Sequence, residues 1–225
     1  MKVLLACEES QIVCKEFREL GHEAYSNDIQ DCSGGHPEWH LQMDVFDAIK
    51  LKQWDLMIAF PPCTYLSNAG IRWFNEERYG DKARERKVLR LEAMEFVRRI
   101  YNSDIPKICI ENPIGYLNIN WKKPTQVIQP YFFGDEFSKT TCLWLKGLKK
   151  LIHIKNEDMF HKSTHTGKGE FVYHEVKSGI HKGKVRGDSK WYYEAVSLPA
   201  KERALFRSKT FPGIAKAMAE QWGKS

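Results

Sequence analysis

Apolar residues in the first two thirds of the chain fall into two alternating patterns. Segments 3–6, 55–60 and 107–110, the last two apolar after an opening Asp55 and Lys107, have the length of buried strands. Between them lie stretches whose apolar positions recur three and four apart. Residues 10–20 bring Ile12, Val13, Phe17 and Leu20 to one helical face, with Ser10 placed to cap and Gly21 to stop the helix. A second short strand at 23–26 runs into Asn27 and Asp28. A loop at 31–40 follows; Asp44 closes a third segment, and 46–51 predicts one or two helical turns. Residues 68–81 read as a polar loop. The strongest helical pattern covers 82–102, with Leu89, Ala93, Phe96, Val97 and Ile100 on the buried stripe and basic residues on a solvated opposite face. Strand–helix–strand order of this kind predicts an α/β domain with a mostly parallel, doubly wound sheet.

The pattern fades after residue 150. Residues 151–207 have little periodicity and many Gly, His and Lys, so they read as a small loop-rich lobe. Residues 208–225 return to the core as an amphipathic helix that starts near Pro212, with Ile214, Met218, Gln221 and Trp222 on one face. The predicted organisation is thus a core at 1–150, a lobe at 151–207 and a terminal helix.

Composition narrows this only a little. The chain has 225 residues, 42% hydrophobic, with a net charge of +6. That permits an anionic partner without requiring one. No run approaches the ~20 apolar residues of a membrane span. None of Cys7, Cys14, Cys32, Cys63, Cys109 and Cys142 forms a CxxC pair, which argues against a zinc ribbon or thioredoxin-type motif. Reduced thiols suggest a cytoplasmic protein.

The most informative residue is Cys63. The strand at 55–60 runs directly into Pro61-Pro62-Cys63. Proline lacks the N–H that a strand ladder needs, so the thiol is expected on a rigid turn at the carboxyl end of a strand. Ligands of open α/β sheets sit at that edge. A second motif, Glu111-Asn112-Pro113, follows what should be a neighbouring strand. If the strands are adjacent, a thiol and a carboxyl face one crevice. A carboxylate disfavours a nearby thiolate, so Glu111 is better suited to act on a substrate than on the cysteine.

This combination resembles the DNA cytosine-C5 methyltransferases, closely the short versions encoded by bacteriophages and prophages. Their Pro-Cys motif matches Phe60-Pro61-Pro62-Cys63, with Thr64-Tyr65-Leu66-Ser67 in place of Gln-x-Phe-Ser; their Glu-Asn-Val motif matches Glu111-Asn112-Pro113. Their Gln-x-Arg-x-Arg strand resembles residues 133–141, where Lys139 replaces an arginine, and their closing motif resembles residues 209–215. The resemblance implies a class I S-adenosylmethionine-dependent methyltransferase fold and a covalent mechanism on a cytosine flipped out of duplex DNA. Cys63 would add to C6 and Glu111 would protonate or hydrogen-bond N3. C5 would then take the methyl group, and Lys139 would balance charge at O2. Pro62, Ser67, Asn112 and Pro113 would border the base.

The same resemblance places S-adenosylmethionine along Ala6, Cys7, Glu8, Glu9, Ser10, Asp28, Ile29, Asp44, Phe60, Pro61, Thr210 and Phe211. Glu8 or Glu9 could take the cofactor's amino group, and the N–H groups opening the first helix its carboxylate. Asp28 and Asp44 follow the next two strands. The turn at 6–10 lacks the usual glycines, which leaves a modified alkyl donor open. In the lobe, Lys182, Lys184, Arg186 and Lys190 precede Trp191-Tyr192-Tyr193 and are expected to contact DNA phosphates. His153, His161, His165, His174 and His181 invite a zinc reading, but no cysteine joins them, so no metal is expected. No obligate protein partner is evident. Two alternatives remain: a methyltransferase acting on RNA or a free cytosine nucleotide, and an inactive or decoy DNA-binding protein of the same fold.

Overall fold

The computed structural model describes residues 1–177 and 182–224. The chain forms two compact units. The first comprises Met1–Ile128, Thr140–Leu151 and Ala215–Ser225, and the second Gln129–Lys139 and Ile152–Ile214. Composition places the boundary near residue 150. The structure adds the excursion at Gln129–Lys139 to the second unit.

The first unit is an α/β body around one seven-stranded sheet. In chain order its elements are β1 (Lys2–Ala6), α1 (Ile12–Glu19), β2 (Glu23–Asp28), β3 (His40–Gln42), α2 (Val45–Leu51) and β4 (Leu56–Ala59). They continue with α3 (Glu76–Tyr79), α4 (Asp81–Tyr101), β5 (Lys107–Pro113), α5 (Tyr116–Asn120), β6 (Gln126–Ile128) and β7 (Thr141–Lys146). The sheet order is β3-β2-β1-β4-β5-β7-β6. The pairs β1–β2, β2–β3, β1–β4 and β4–β5 are parallel, whereas β7 runs antiparallel to β5 and β6. This is a mostly parallel, Rossmann-like arrangement.

The central strands are apolar on both faces because helices cover both. Val3, Leu4, Leu5, Leu56, Met57, Ile58, Ile108, Cys109 and Ile110 have no exposed surface. Phe17 of α1 and Ile100 of α4 are equally buried, as expected from the helical spacing. Leu20 departs from that expectation: it lies beyond the last helical residue and is 44% exposed. Residues 68–81 are not a loop. They form a 3-10 helix over Asn68–Phe74 and then α3, because Asn75 accepts the Arg78 N–H and caps the second turn.

In the second unit, β8 (Phe171–Glu175) and β9 (Val185–Ser189) make an antiparallel hairpin, followed by α6 (Lys190–Ser197) and α7 (Ala200–Ser208). Two helices therefore occupy a region that sequence reads as mostly loop. The stretch is short, and its apolar spacing is carried by Trp191 and Ala195 alone on the buried face of α6. Trp191, Phe206, Phe211 and Phe137 pack as a small aromatic core, with ring centroids 5.3–5.6 Å apart. Helix α8 (Pro212–Trp222) closes the chain, with Ile214, Met218 and Trp222 buried as the pattern predicts. Residues 133–140 carry no strand: β7 begins only at Thr141, where β6 offers a partner. No helix of the described residues is long and apolar enough to cross a membrane.

Ile58 lies in the middle of the sheet and is wholly buried. Ile58→Ala should cost about 2–5 kcal/mol in urea unfolding, while Val88→Ala on the exposed side of α4 should stay within about 0.5 kcal/mol of wild type.

Candidate active site

Strands β4 and β5 are direct parallel neighbours, with Ala59 opposite Ile110 at the last rung. Phe60 and Glu111 therefore leave that rung side by side. The expectation that the two motifs share one sheet edge holds, with one difference. Glu111, Asn112 and Pro113 are still within β5, because antiparallel β7 continues to pair with them up to Thr141. Proline is tolerated there because it is the final residue of the strand.

The turn after β4 is built on the carbonyl of Cys63, which accepts the N–H groups of Leu66 (3.0 Å) and Ser67 (2.9 Å). Cys63 itself is exposed. Three contacts fasten this turn to the end of β5. The buried Asn112 side chain donates to the Pro61 carbonyl at 2.9 Å. Tyr116 N–H donates to the Leu66 carbonyl at 2.7 Å. Ser67 and Gly115 form an isolated antiparallel bridge. Gly115 is required there, since a Cβ would sit 2.0 Å from the Leu66 oxygen. Asn112 thus acts through its side chain to join the two motifs, and its Oδ1 is buried with no hydrogen-bond partner.

Helix α4 holds the other side of the same turn. Arg90 donates to the Tyr65 carbonyl at 3.0 Å, with its guanidinium 3.2 Å from the Phe74 ring centroid and 4.7 Å from that of Tyr116. Arg86 reaches the Thr64 carbonyl at 3.4 Å and lies 4.8 Å from the Tyr65 ring. The solvated basic face expected of this helix is interrupted by these two residues. Periodicity separates polar from apolar positions. It does not show that a polar side chain will be covered by aromatic rings from another segment.

The strand order reverses between β1 and β4, so the crevice outside their carboxyl ends is the switch point at which doubly wound sheets bind ligands. Of the residues expected to hold a cofactor, Ala6 to Ser10, Asp28, Asp44, Phe60 and Pro61 lie at or just past the carboxyl ends of β1, β2, β3 and β4. Burial pushes the Cys7 thiol up to about 12, and the Asp28 and Asp44 carboxylates add to the shift, so the ends of three strands converge electrostatically. Cys7 and Gln11 adopt positive φ, both 58°, where a glycine would be unstrained. The turn has the bend that the absent glycines would have supplied, achieved with side-chain residues.

Helix α1 starts differently from the expectation. Its cap position is Gln11, and Ser10 does not cap it. Glu8 serves instead, accepting the N–H groups of Val13 (2.7 Å) and Cys14 (3.2 Å). Those donors are therefore not open to a cofactor carboxylate. Glu8 is 4% exposed, and burial raises its carboxyl to about 7 against the lowering effect of the two N–H groups. Glu9 is also buried, and its Oε1 has no hydrogen-bond partner. Asp44 caps α2 through the Phe46 N–H at 2.8 Å, and Asp28 accepts the Gln30 N–H at 3.0 Å. Ile29 is 75% exposed beside it.

The remaining expected residues belong to the second unit. Lys139 Nζ donates to the Arg207 carbonyl at 3.1 Å and lies 5.5 Å from the Trp191 ring centroid. Phe211 is in the aromatic core of that unit, and Thr210 precedes it half-buried. On the hairpin, Arg186 pairs with Asp188 at 2.9 Å; Lys190 at the start of α6 pairs with Glu170 at 2.8 Å. Lys182 and Lys184 are exposed. His153 and His165 meet at 2.8 Å against Phe132. Among the described residues no three metal-ligating side chains converge, and His181 lies outside them. Neither a protein-family model nor a curated protein matches the chain.

Two outcomes are expected. Asn112→Ala should destabilise by about 1–3 kcal/mol by leaving the Pro61 carbonyl without its donor, and should speed hydrogen exchange at Leu66 and Ser67 more than at the β1 amides. Glu8 has a folded pKa above its ordinary value. Its contribution is therefore most favourable below about pH 4.5 and is lost as pH rises towards 7, then levels off. Glu8→Gln should flatten this decline, which for wild type amounts to roughly 3 kcal/mol between those limits, measured by urea unfolding across pH.

Proposed function

We propose that the protein transfers a methyl group from S-adenosylmethionine to C5 of cytosine in duplex DNA. The observation that carries this reading is the Asn112–Pro61 hydrogen bond, which ties the exposed Cys63 turn to the end of the Glu111 strand. Cytosine C5 is a poor nucleophile, and covalent addition divides one difficult step into two easier ones. In this reading the Cys63 sulfur bonds to C6 while Glu111 donates a proton or hydrogen bond at N3. The ring electrons this releases make C5 nucleophilic towards the electrophilic methyl carbon that S-adenosylmethionine would supply when bound. After methylation, loss of the C5 proton to solvent restores the double bond and expels the thiolate, and any proton taken up at N3 returns to Glu111.

The chain's own residues supply the supporting roles. Asn112, Arg86 and Arg90 hold the backbone on either side of the thiol, so little ordering remains to be done on binding. The switch-point crevice has acids at three strand ends, suited to the hydroxyl and amino groups of an adenosyl donor. Glu9 offers a buried carboxylate oxygen with unmet hydrogen-bonding capacity there. These groups fit S-adenosylmethionine, which when bound supplies an electrophilic methyl carbon. The basic residues Lys182 and Lys184 would serve phosphate contacts, with Arg186 and Lys190 held back by their acidic partners.

Incubation with duplex DNA carrying 5-fluorocytosine and S-adenosylmethionine tests the mechanism, because fluorine cannot leave as a proton does. Wild type should give a covalent adduct by intact mass and Cys63→Ala none. Absence of any adduct across a library of sequence contexts would contradict the reading. Single-stranded RNA and dCMP run in parallel separate it from action on those substrates.

A further inference from the structure

A cleft of about 500 Å³ opens beside the Cys63 turn, within the first unit. Its walls are Tyr65 from the turn, Trp73 from the 3-10 helix and Tyr79 from α3, with Leu89 of α4 as an apolar surface. The Trp73 and Tyr79 rings have centroids 4.9 Å apart at 45°. Lys82, Glu85 and Arg86 add two cations and one carboxylate. Trp73 remains 41% exposed.

We propose that this cleft is a binding site for a nucleoside 5′-monophosphate unit, in which a base stacks on the aromatic walls and the phosphate meets Lys82 and Arg86. The proposal deepens the reading given above, on which the choice of a DNA strand as the source of that unit rests. Aromatic faces accept any base, because every base has a π face, and cations beside them take the phosphate. The volume lies within the range of small-ligand sites. A sugar would also stack on such rings, but two cations against one carboxylate favour an anion. The carboxylate of Glu85 can accept from an exocyclic amino group. Tyr65 links this cleft to the thiol: it stands two residues from Cys63, and its carbonyl is held by Arg90. A nucleotide seated here would brace the same backbone that presents the sulfur.

Calorimetric titration of the full chain with dCMP, with dGMP and with a single-stranded tetradeoxynucleotide tests the site without S-adenosylmethionine. Wild type should bind saturably, and Trp73→Leu should weaken binding about tenfold or more. Lys82→Ala should weaken binding and reduce its salt dependence. A tetranucleotide bound about tenfold tighter than either monophosphate identifies a strand as the source; equal affinity identifies free nucleotide. Lys82 is exposed, so Lys82→Glu keeps the test decisive if Trp73→Leu melts early. No binding of any ligand, or equal affinity in wild type and all three cleft variants, overturns the site. Cleft binding is read without S-adenosylmethionine and the adduct with it, so the two readouts are separate. Cleft binding without a 5-fluorocytosine adduct therefore contradicts the methyl-transfer reading alone, and an adduct without cleft binding contradicts this site alone.

Discussion

One amide-to-carbonyl hydrogen bond, from Asn112 to Pro61, joins the two segments to which the proposed chemistry is assigned. The bond is buried, so it is not exchanged cheaply for water. Around it the backbone of 61–67 is fastened to 112–116 by a second hydrogen bond and a bridge, and to α4 by two arginines. Each contact is ordinary in strength. Together they fix a turn that would otherwise be an exposed loop after a terminated strand. Pro61 and Pro62 add rigidity at no hydrogen-bond cost, since their missing donors lie outside the ladder. The outcome is a thiol that is accessible yet held on a rigid backbone.

The neighbouring crevice follows a different logic. Parallel strands end together, so residues just past β1, β2 and β3 are brought close by sheet register alone. The Asp28 and Asp44 carboxylates at two of those positions then add to the upward shift of the Cys7 thiol. Glycine-free turns need local support for their left-handed residues, and here Gln11 provides it. Its amide bonds Ser26 Oγ and both the N–H and the carbonyl of His36, tying α1 to the loop before β3. The positive φ at Gln11 persists because its side-chain hydrogen bonds to Ser26 and His36 outweigh a strain of about 1–2 kcal/mol.

Much of this was legible in the order of residues. Apolar runs within 3–6, 55–60 and 107–110 mark the central strands because helices cover both sheet faces and leave no polar side to alternate with. The terminal helix and the buried face of α4 follow from spacing. The Cys63 and Glu111 motifs were found from proline and strand punctuation. Other features were hidden for identifiable reasons. Glu8 caps α1 from outside the helix, beyond the reach of a capping rule that looks at the residue before the first turn. Arg86 and Arg90 look solvated on a helical wheel because their aromatic partners, Tyr65, Phe74 and Tyr116, come from segments distant in sequence. Residues 133–140 match a strand by motif, but a strand needs a partner, and β6 pairs only from Thr141. Helices α6 and α7 were missed because a tight aromatic core of four rings replaces a long periodic stripe.

Bisulfite sequencing of DNA from cells that express the chain tests the central claim most directly, since it reads modification at cytosine C5 and its sequence context together. The account predicts protected cytosines in a recurrent short context with wild type and none with Cys63→Ala. Complete conversion of every cytosine with wild type, from cells containing the intact folded protein, would contradict it.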